Sequence, residues 1–267
     1  MKGYTMSKST QYGWRRIQVN LTRAGVMVAM LVSWELASGR LINSLWISRP
    51  TLIGARLAEW VLSGSILPHL RTTMTEMLIG LVIGAILGCL VAVLFGTIPT
   101  LAELLHPFVT FLYNIPKIAL VPLIILWFGV YTESKVVIVV TLVFFLYYFN
   151  VYDGIRQVDQ DLQNTIRLMG AGWWDLVRYV IAPGILPFLL VATRLSIPFA
   201  FVGAIFGEFI ASYEGLGFLI NRGAQLYDSA GLFAGLVIAA GIGGILDYLA
   251  SRHERIALAW KPGRNLY

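Results

Sequence analysis

Residues 159–187 read DQDLQNTIRLMGAGWWDLVRYVIAPGILP, and long apolar stretches lie on both sides of them. This segment is polar and amphipathic. Its charged side chains and loop backbone would lack partners in hydrocarbon, so it must lie outside a membrane that its neighbours cross. The sequence therefore predicts a helical element outside the membrane, held rigidly between two spans, where a soluble partner could push.

The composition of the whole chain places it among helical membrane proteins. Of its 267 residues, 58% are hydrophobic and 13% are charged, and the mean hydropathy is +0.75. A soluble domain carries about 25% charged residues. The only cysteine, Cys89, excludes a disulfide within the chain and a metal site built on thiols. We expect an all-α, polytopic membrane protein that forms one domain.

Six apolar stretches have the length of membrane spans, which need about 20 residues each. They cover residues 24–47, 74–96, 107–130, 134–151, 184–212 and 231–250. The sequence thus predicts an N-terminal tail of residues 1–23, a six-helix membrane domain of residues 24–250 and a C-terminal tail of residues 251–267.

The distribution of Lys and Arg predicts how these spans are oriented. With the N-terminus inside, twelve of these residues lie in cytoplasmic segments and six lie on the opposite side. Basic residues prefer the cytoplasmic side, so both tails and the loop of residues 152–183 are expected there. This bias also explains the net charge of +6 without a nucleic-acid partner.

Residues 51–70 lie between the first two predicted spans. Leu52, Ile53, Leu57, Trp60 and Val61 recur at helical spacing, which favours a short helix on the outer membrane surface. A plain loop is the alternative.

The polar segment itself divides into two helical pieces. Leu162, Ile166, Met169 and Trp173 follow one another at helical spacing and predict one apolar stripe. Residues 170–172, Gly-Ala-Gly, should then break the helix. A second piece, residues 173–180, leads to a proline that should end or kink it. The result would be a compact knob with bare backbone, suited to a groove on another protein.

This knob resembles the EAA loop of the membrane subunits of binding-protein-dependent ABC importers. In that loop the triplet EAA is followed by three residues, Gly, nine residues and Ile-x-Leu-Pro. Gly170 takes the glycine position, and Val180, Ala182 and Pro183 take the last positions at the same spacing. The triplet itself falls on residues 164–166, Asn-Thr-Ile, and is not kept. Because the acidic residue of the triplet is lost, it stays open whether a hydrogen bond to the ATPase replaces the salt bridge that this residue would make.

Further motifs are similar to the nitrate, sulfonate and taurine branch of this family. That branch shows a run of the type P-x-x-x-(A)-x-x-P-L-x-x-L-W-F-G in its third span. The same arrangement is formed here by Pro116, Lys117, Ala119, Pro122, Leu123, Leu126, Trp127, Phe128 and Gly129. Other matching features are Trp34-Glu35, Pro50 with residues 62–64, and Glu208 followed by Gly215-Leu216-Gly217.

The resemblance implies a type I importer permease with six transmembrane helices and a cytoplasmic coupling helix, in a bacterial inner membrane. It also implies a homodimer, two ABC ATPase subunits that bind ATP and Mg, and a periplasmic or lipid-anchored solute-binding protein. No cofactor or metal is expected in this chain. The residues implied in ATPase coupling are Asn164, Arg167, Gly170, Ala171, Trp173, Asp175 and Pro183.

These coupling residues have ordinary alternatives. Gly170 could simply end a helix. For Asn164, Arg167 and Asp175 the alternative is a solvated helix face.

Three side chains are candidates for a translocation path. Lys117 lies at membrane depth between Pro116 and Pro122, which should break the helix and free carbonyl groups for a cavity. An ionisable residue there indicates function, and a cation would suit an anionic solute. Asn114 lies one turn earlier. Glu208 could lie at an outer gate or pair across a dimer. The alternatives are snorkelling or a charge pair within the bundle for Lys117, and an interfacial carboxylate for Glu208.

Other function classes fit less well. No Gly-x-x-x-x-Gly-Lys-Ser/Thr phosphate loop occurs, so the chain is not expected to be the ATPase or another enzyme. His69, His106 and His253 lack the spacing of a metal site. A secondary transporter driven by an ion gradient needs coupled ionisable residues at mid-membrane, and an intramembrane enzyme needs convergent His, Asp or Glu. The solute stays open among nitrate, alkanesulfonates, taurine, other small anions and a pyrimidine precursor.

Overall fold

The computed structural model describes residues 8–41 and 43–257, with side chains from residue 18 onward. Every regular element in this part of the chain is helical. The helices are α1 (Lys8–Ala37), α2 (Pro50–Leu62), α3 (Ile66–Thr97), α4 (Pro99–Asn114), α5 (Val121–Phe128), α6 (Thr132–Arg156), α7 (Gln160–Leu168), α8 (Trp173–Leu176), α9 (Ala182–Ile210), α10 (Leu216–Gln225) and α11 (Ser229–Ala257). A 3₁₀ turn, Lys117–Leu120, precedes α5, and a π-helical turn, Val177–Ile181, joins α8 to α9.

Helices α3, α6 and α9 form the centre of the bundle, and α3 lies very close to α6. Gly84 and Gly88 lie along the contact face of α3. A Cβ on Gly84 would lie 2.8 Å from Cβ of Val143, and one on Gly88 would lie 2.6 Å from the Phe144 carbonyl oxygen. Small residues allow such close backbone approach where lipid, not water, surrounds the helices. The abundant glycine of the sequence therefore has a structural role here.

The buried side chains of the bundle form two main clusters, one toward each end. We call the end where α3 stops and α9 begins the α7 end, and the opposite end the α10 end. The cluster at the α7 end includes Phe95, Tyr148, Val151, Ile155, Leu176 and Ile181. The cluster toward the α10 end includes Met77, Val139, Val143, Ala200, Phe201, Ala204 and Leu216.

Most of the predicted spans correspond to long apolar helices. Within the described residues, α3, α6, the continuous helix Trp173–Ile210 and α11 are long and apolar enough to cross a membrane, and α4 with the Lys117–Phe128 segment makes a fifth span if that bent pair is counted as one. The predicted number of six is therefore not confirmed at the first span. There, α1 ends at Ala37, ten residues before the predicted end, because Gly39 adopts a left-handed conformation at φ +79°.

The third predicted span, residues 107–130, is bent rather than straight, as its two prolines indicate. Its two halves, Pro99–Asn114 and Lys117–Phe128, meet at an angle of 81°. Ile115 has an extended backbone, with ψ 129°, because the ring of Pro116 excludes the helical conformation from the preceding residue.

The ends of several elements differ from the prediction. The short helix expected over residues 51–70 is α2, and it ends at Leu62 because α3 already begins at Ile66. Part of the predicted N-terminal tail belongs to α1, which starts at Lys8, and α11 continues into the predicted C-terminal tail as far as Ala257. Residues 1–7 and 258–267 of these tails lie outside the described residues.

Candidate coupling segment and ionisable side chains

Gly170 ends helix α7 with a specific hydrogen-bonded turn. Its φ is +83°, its N–H donates to the Arg167 carbonyl at 3.0 Å, and the Ala171 N–H donates to the Ile166 carbonyl at 3.2 Å. These two bonds define a Schellman motif, in which glycine is favoured because it adopts this conformation without strain. No described atom lies within 4 Å of a Cβ built on Gly170, so this turn faces open space.

Asp175 has a local task at the start of the next helix. Its Oδ2 accepts the Gly172 N–H at 3.0 Å, which satisfies a donor at the N-terminus of α8. Asp159 likewise caps α7, since its Oδ1 accepts the Asp161 N–H at 2.8 Å. These caps at the two N-termini define where each short helix starts.

The predicted apolar stripe does not form one face. Ile166 packs against the buried cluster at the α7 end. Trp173 is 48% exposed, but its indole N–H donates to Oγ1 of Thr97, the last residue of α3, at 3.0 Å. Leu162 and Met169 are exposed instead. The stripe prediction is therefore wrong, because α7 ends at Leu168 and helical spacing does not continue through the glycine turn.

Six large apolar side chains of residues 159–183 are exposed, namely Leu162, Leu168, Met169, Trp173, Trp174 and Tyr179. Leu168 is 89% exposed and Met169 is 81% exposed, and Leu162 and Trp174 are also exposed. We call these four residues the apolar knob. The predicted polar contacts Asn164 and Arg167 are exposed beside them.

Pro183 does not end its helix, so of the two predicted outcomes, an end or a kink, the first is wrong. The chain is helical without a break from Trp173 to Ile210. The π-helical turn before the proline makes this possible: the Ala182 N–H bonds to the Val177 carbonyl, five residues back. The wider turn gives room where a proline ring would clash with the preceding turn of a regular α-helix. Trp174 of the knob thus lies on the same continuous helix as α9, whereas the other three knob residues precede the glycine turn.

Lys117 lies at the bend between α4 and α5. Its Nζ donates to the carbonyl oxygens of Leu112, at 3.3 Å, and of Tyr113, and lies 4.4 Å from the Tyr113 ring centre. The ammonium thus closes the end of α4, and Nζ also lies 4.5 Å from the Phe145 ring centre. Its third N–H has no hydrogen-bond partner among the described residues. A cavity of about 130 Å³, lined otherwise by apolar residues of α5, α6, α9 and the 3₁₀ turn, adjoins it. Nearby Asn114 is exposed, and its Nδ2 donates to the Thr110 carbonyl at 2.9 Å.

Glu208 is 1% exposed and faces no open surface, so its predicted place on a translocation path does not fit this structure. Its carboxylate accepts the hydroxyl of Thr73 at 2.6 Å and the N–H of Gly217 at 2.8 Å. The motif that includes Gly217 permits this contact, because a Cβ there would lie 2.0 Å from the Ile205 carbonyl oxygen. Glu208 thus holds the start of α10 against α3 and α9.

Sequence reasoning missed other buried ionisable residues. Glu76 on α3 is 1% exposed, and Lys135 on α6 has no exposed surface. Both lie in predicted spans, where the cost of an ionisable side chain is itself a signal that could have found them. It also missed the ion pair of Arg194 and Glu254, whose atoms lie 2.7 Å apart.

A bundle of long apolar helices with a polar segment between two of them defines a polytopic helical membrane protein. Residues 80–255 match the family described as binding-protein-dependent transport system inner membrane component. The chain belongs to this family, as its motifs predicted.

Related proteins match almost the whole chain. SsuC of Bacillus subtilis (strain 168), named for aliphatic sulfonates transport, is 31% identical over 94% of this chain and 89% of its own length. ThiX of Halalkalibacterium halodurans, a formylaminopyrimidine transport permease, is 32% identical over 87% of this chain and 92% of its own length. These matches identify the chain as the permease of an ABC importer rather than an ion-gradient-driven secondary transporter, and the permease is not itself an enzyme.

Solved structures show the same fold. An inward-facing structure of the MetNI methionine ABC transporter aligns with a TM-score of 0.59 and 20% identity, covering 75% of this chain and 97% of that chain. The predicted all-helical permease fold is therefore confirmed, although its six-span count is not.

Proposed function

We propose that two copies of this chain form the translocation path for a small anionic solute, such as nitrate, a sulfonate or taurine. Two ATPase subunits, which bind ATP and Mg, would drive the path by pushing on the apolar knob. The observation that carries this proposal is the knob itself: four exposed apolar side chains on a segment outside the membrane, fixed to the bundle.

Exposed apolar clusters in water mark sites where another protein binds. The knob meets this description because Leu168 and Met169 have almost no contact with their own chain. A soluble partner with an apolar groove would cover them. The empty space beside Gly170 would let that partner approach the backbone closely.

The attachment of the knob suits it to transmit force. Ile166 and Trp173 pack against the α7 end of the bundle, and the chain continues as one helix from Trp173 to Ile210. A displacement at Trp174 would therefore move α9 as a rod rather than be lost in a flexible loop. Rigid-body rocking of this kind would alternate the opening of the path.

The missing acidic residue of the EAA triplet suggests how the contact is made. Asn164 occupies that place and is exposed. Its side-chain amide can donate and accept, so we assign it a hydrogen bond to the ATPase where other members of the family have a carboxylate. Arg167, also exposed, is available for a carboxylate on the same partner.

This proposal also gives an orientation. The α7 end and both termini would face the cytoplasm, as the Lys and Arg bias predicts. The α10 end would then meet the solute-binding protein. At this end a groove of about 590 Å³ contains charges of both signs, Arg71 and Glu214, between α3 and the loop before α10.

For the path we propose the bend at Lys117. A broken span exposes backbone polar groups at membrane depth only where they line a cavity or are buried in protein. The free N–H of Lys117 could contact a passing anion, and Asn114 is exposed on the same bend. The sulfonate named for the relative SsuC is a solute of this charge.

Crosslinking tests the ATPase contact directly. In a Cys89→Ala background, a Leu168→Cys variant should crosslink through a short bismaleimide to the coexpressed ATPase. The matched control is Tyr213→Cys, which is 70% exposed at the α10 end and should not react with that subunit. A crosslink at both positions, or at neither, would contradict the proposed coupling. Ligand binding by the purified solute-binding protein would then test the solute class.

A further inference from the structure

Two carboxyl groups are buried close together in the interior of the α10 end. Thr73 on α3 donates its hydroxyl to Glu208 on α9 at 2.6 Å, Glu76 follows one helical turn after Thr73 on the same face of α3, and each carboxyl side chain is 1% exposed. Two ionised carboxylates are both acceptors, and they repel each other strongly away from water. Their proximity has to be explained by something other than two negative charges.

The hydrogen bonds around the pair show which carboxyl oxygen lacks a donor. Both oxygens of Glu208 already accept bonds, one from the Thr73 hydroxyl and one from the Gly217 N–H. Oε2 of Glu76, in contrast, is buried and has no donor among the described residues. A buried oxygen without a partner is costly unless it carries a proton of its own.

Lys135 provides a positive charge near the two carboxyl groups but forms no salt bridge with either of them. Its ammonium donates to the carbonyl oxygens of Val130 and of Tyr131, the latter at 3.1 Å. In residues 18–257, no carboxylate oxygen lies within 4.0 Å of Nζ of Lys135. The ammonium nevertheless acts electrostatically on both Glu76 and Glu208. One ammonium and one shared negative charge leave this buried group neutral, which lowers its cost in a low-dielectric interior.

We infer that Glu76 and Glu208 share one proton, which Glu76 donates to Glu208, and that this acid pair fixes helix α10 to the bundle. With the proton in place, Glu208 keeps its charge for the N–H groups at the start of α10. There, Leu216 donates to Oγ1 of Thr73 at 3.0 Å and Gly217 donates to Glu208. The pair is a positioning device and needs no contact with solute or ATPase, so its test is independent of the proposed function.

Removal of the proton should loosen α10. Two adjacent negative charges would repel, so the attachment is complete while the pair holds one proton and weakens as pH rises and that proton is lost. The other charged or titratable groups near the pair also have to be considered. They are His69 on α3, whose Nδ1 accepts the Gly215 N–H, Glu133 beside Lys135 on α6, and Glu214 and Arg222 beside His69.

Infrared spectroscopy tests for the proton itself. The difference spectrum between the full-length protein and its Glu76→Gln variant should contain the carbonyl stretch of a protonated, buried carboxylic acid, because only the parent chain has that group. An ionised Glu76 would give a carboxylate band instead. Absence of the acid band would overturn the inference.

Hydrogen exchange tests what the proton does. The Glu76→Gln variant keeps a hydrogen-bond donor for Glu208, so hydrogen exchange of residues 216–225 should match the parent at neutral pH. At high pH the parent should lose the shared proton and exchange faster in these residues, whereas the variant should not. Glu208→Gln should accelerate that exchange by about tenfold or more, because a charged acceptor is lost. The control Glu214→Gln, on the exposed loop, should change neither. If Glu76→Gln frees α10 as much as Glu208→Gln does, Glu76 is ionised and the inference fails. The infrared result stands even if Glu208→Gln does not fold.

Discussion

Two substitutions of Gly170 can separate the effect of the proposed ATPase contact from the effect of backbone strain at this residue. In the structure its φ is +83°, and no described atom lies within 4 Å of a Cβ placed there. A Gly170→Ala variant would therefore fit its own chain in space but would strain the backbone. A Gly170→Gln variant would bring the same strain and the same intrachain fit, with a longer side chain pointing outward.

The strain has a calculable size. A residue other than glycine in the left-handed conformation costs roughly 1–2 kcal/mol, which shifts the equilibrium of the turn by about 5- to 30-fold. Both variants carry this cost. If the ATPase lies against Gly170, the longer side chain adds overpacking of about 1–3 kcal/mol. We therefore expect the Gln variant to bind the ATPase about 5- to 150-fold more weakly than the Ala variant.

The assay is the Kd of the purified ATPase for each variant in nanodiscs, with solute uptake as the second readout. Gly129 supplies the matched control. Its φ is +81° and it also has open space around it, but it ends α5, next to the start of α6 at the α10 end. Substitution of Gly129 by Ala and by Gln should give equal ATPase affinities. Equal affinities for the two Gly170 variants would refute the contact, as would the same Ala-to-Gln difference at Gly129.

Three further predictions concern the bundle, the path and the knob. Gly84→Ala would place Cβ 2.8 Å from Cβ of Val143 and should destabilise the protein in thermal unfolding by about 1–3 kcal/mol, whereas Gly54→Ala, with open space in α2, should be neutral or stabilise it by up to about 1 kcal/mol. Lys117→Met should lower uptake about 10- to 100-fold if its free N–H binds the anion, with partial recovery in Lys117→Arg; unchanged uptake kinetics would remove this residue from the path. Trp173→Phe loses one hydrogen bond, worth about 0.5–1.5 kcal/mol, and should speed hydrogen exchange in α7 and α8; unaltered exchange there would show that this bond does not hold the knob.

The straight spans and the position of the knob could be predicted from the sequence because both depend on composition along the chain. Long apolar runs give α3, α6, α9 and α11, and a polar interruption between two of them marks the knob. Gly170 was also predictable as a helix breaker, since a left-handed turn needs glycine. These properties need no knowledge of what each helix packs against.

The direction in which a side chain points could not be predicted, because it depends on the rotation of each helix about its axis. Glu208 was a candidate for the path, but it faces the interior, where Thr73 and Gly217 meet it. The stripe of the knob failed for a related reason. Its periodicity was continued through the glycine turn, although the helix ends at Leu168. Pro116 indicated a break, but the 81° angle depends on packing around the bend.

The long helix that starts at the knob connects the two sites inferred here. From Asp175 to Glu208 there are 33 residues, or about 50 Å of helix at 1.5 Å per residue. At one end Leu176 and Ile181 are buried in the cluster that includes Phe95 of α3 and Ile155 of α6.

At the other end of that helix, Glu208 accepts hydrogen bonds from Thr73 of α3 and from Gly217 of α10. A push on the proposed ATPase contact would thus move α3, α6, α9 and α10 together, because α3, α6 and α10 each pack against α9. The acid pair would then decide whether that motion reaches α10. A Glu208→Gln variant should consequently retain ATPase binding while losing uptake, and the loss of both together would argue that the two ends do not act separately.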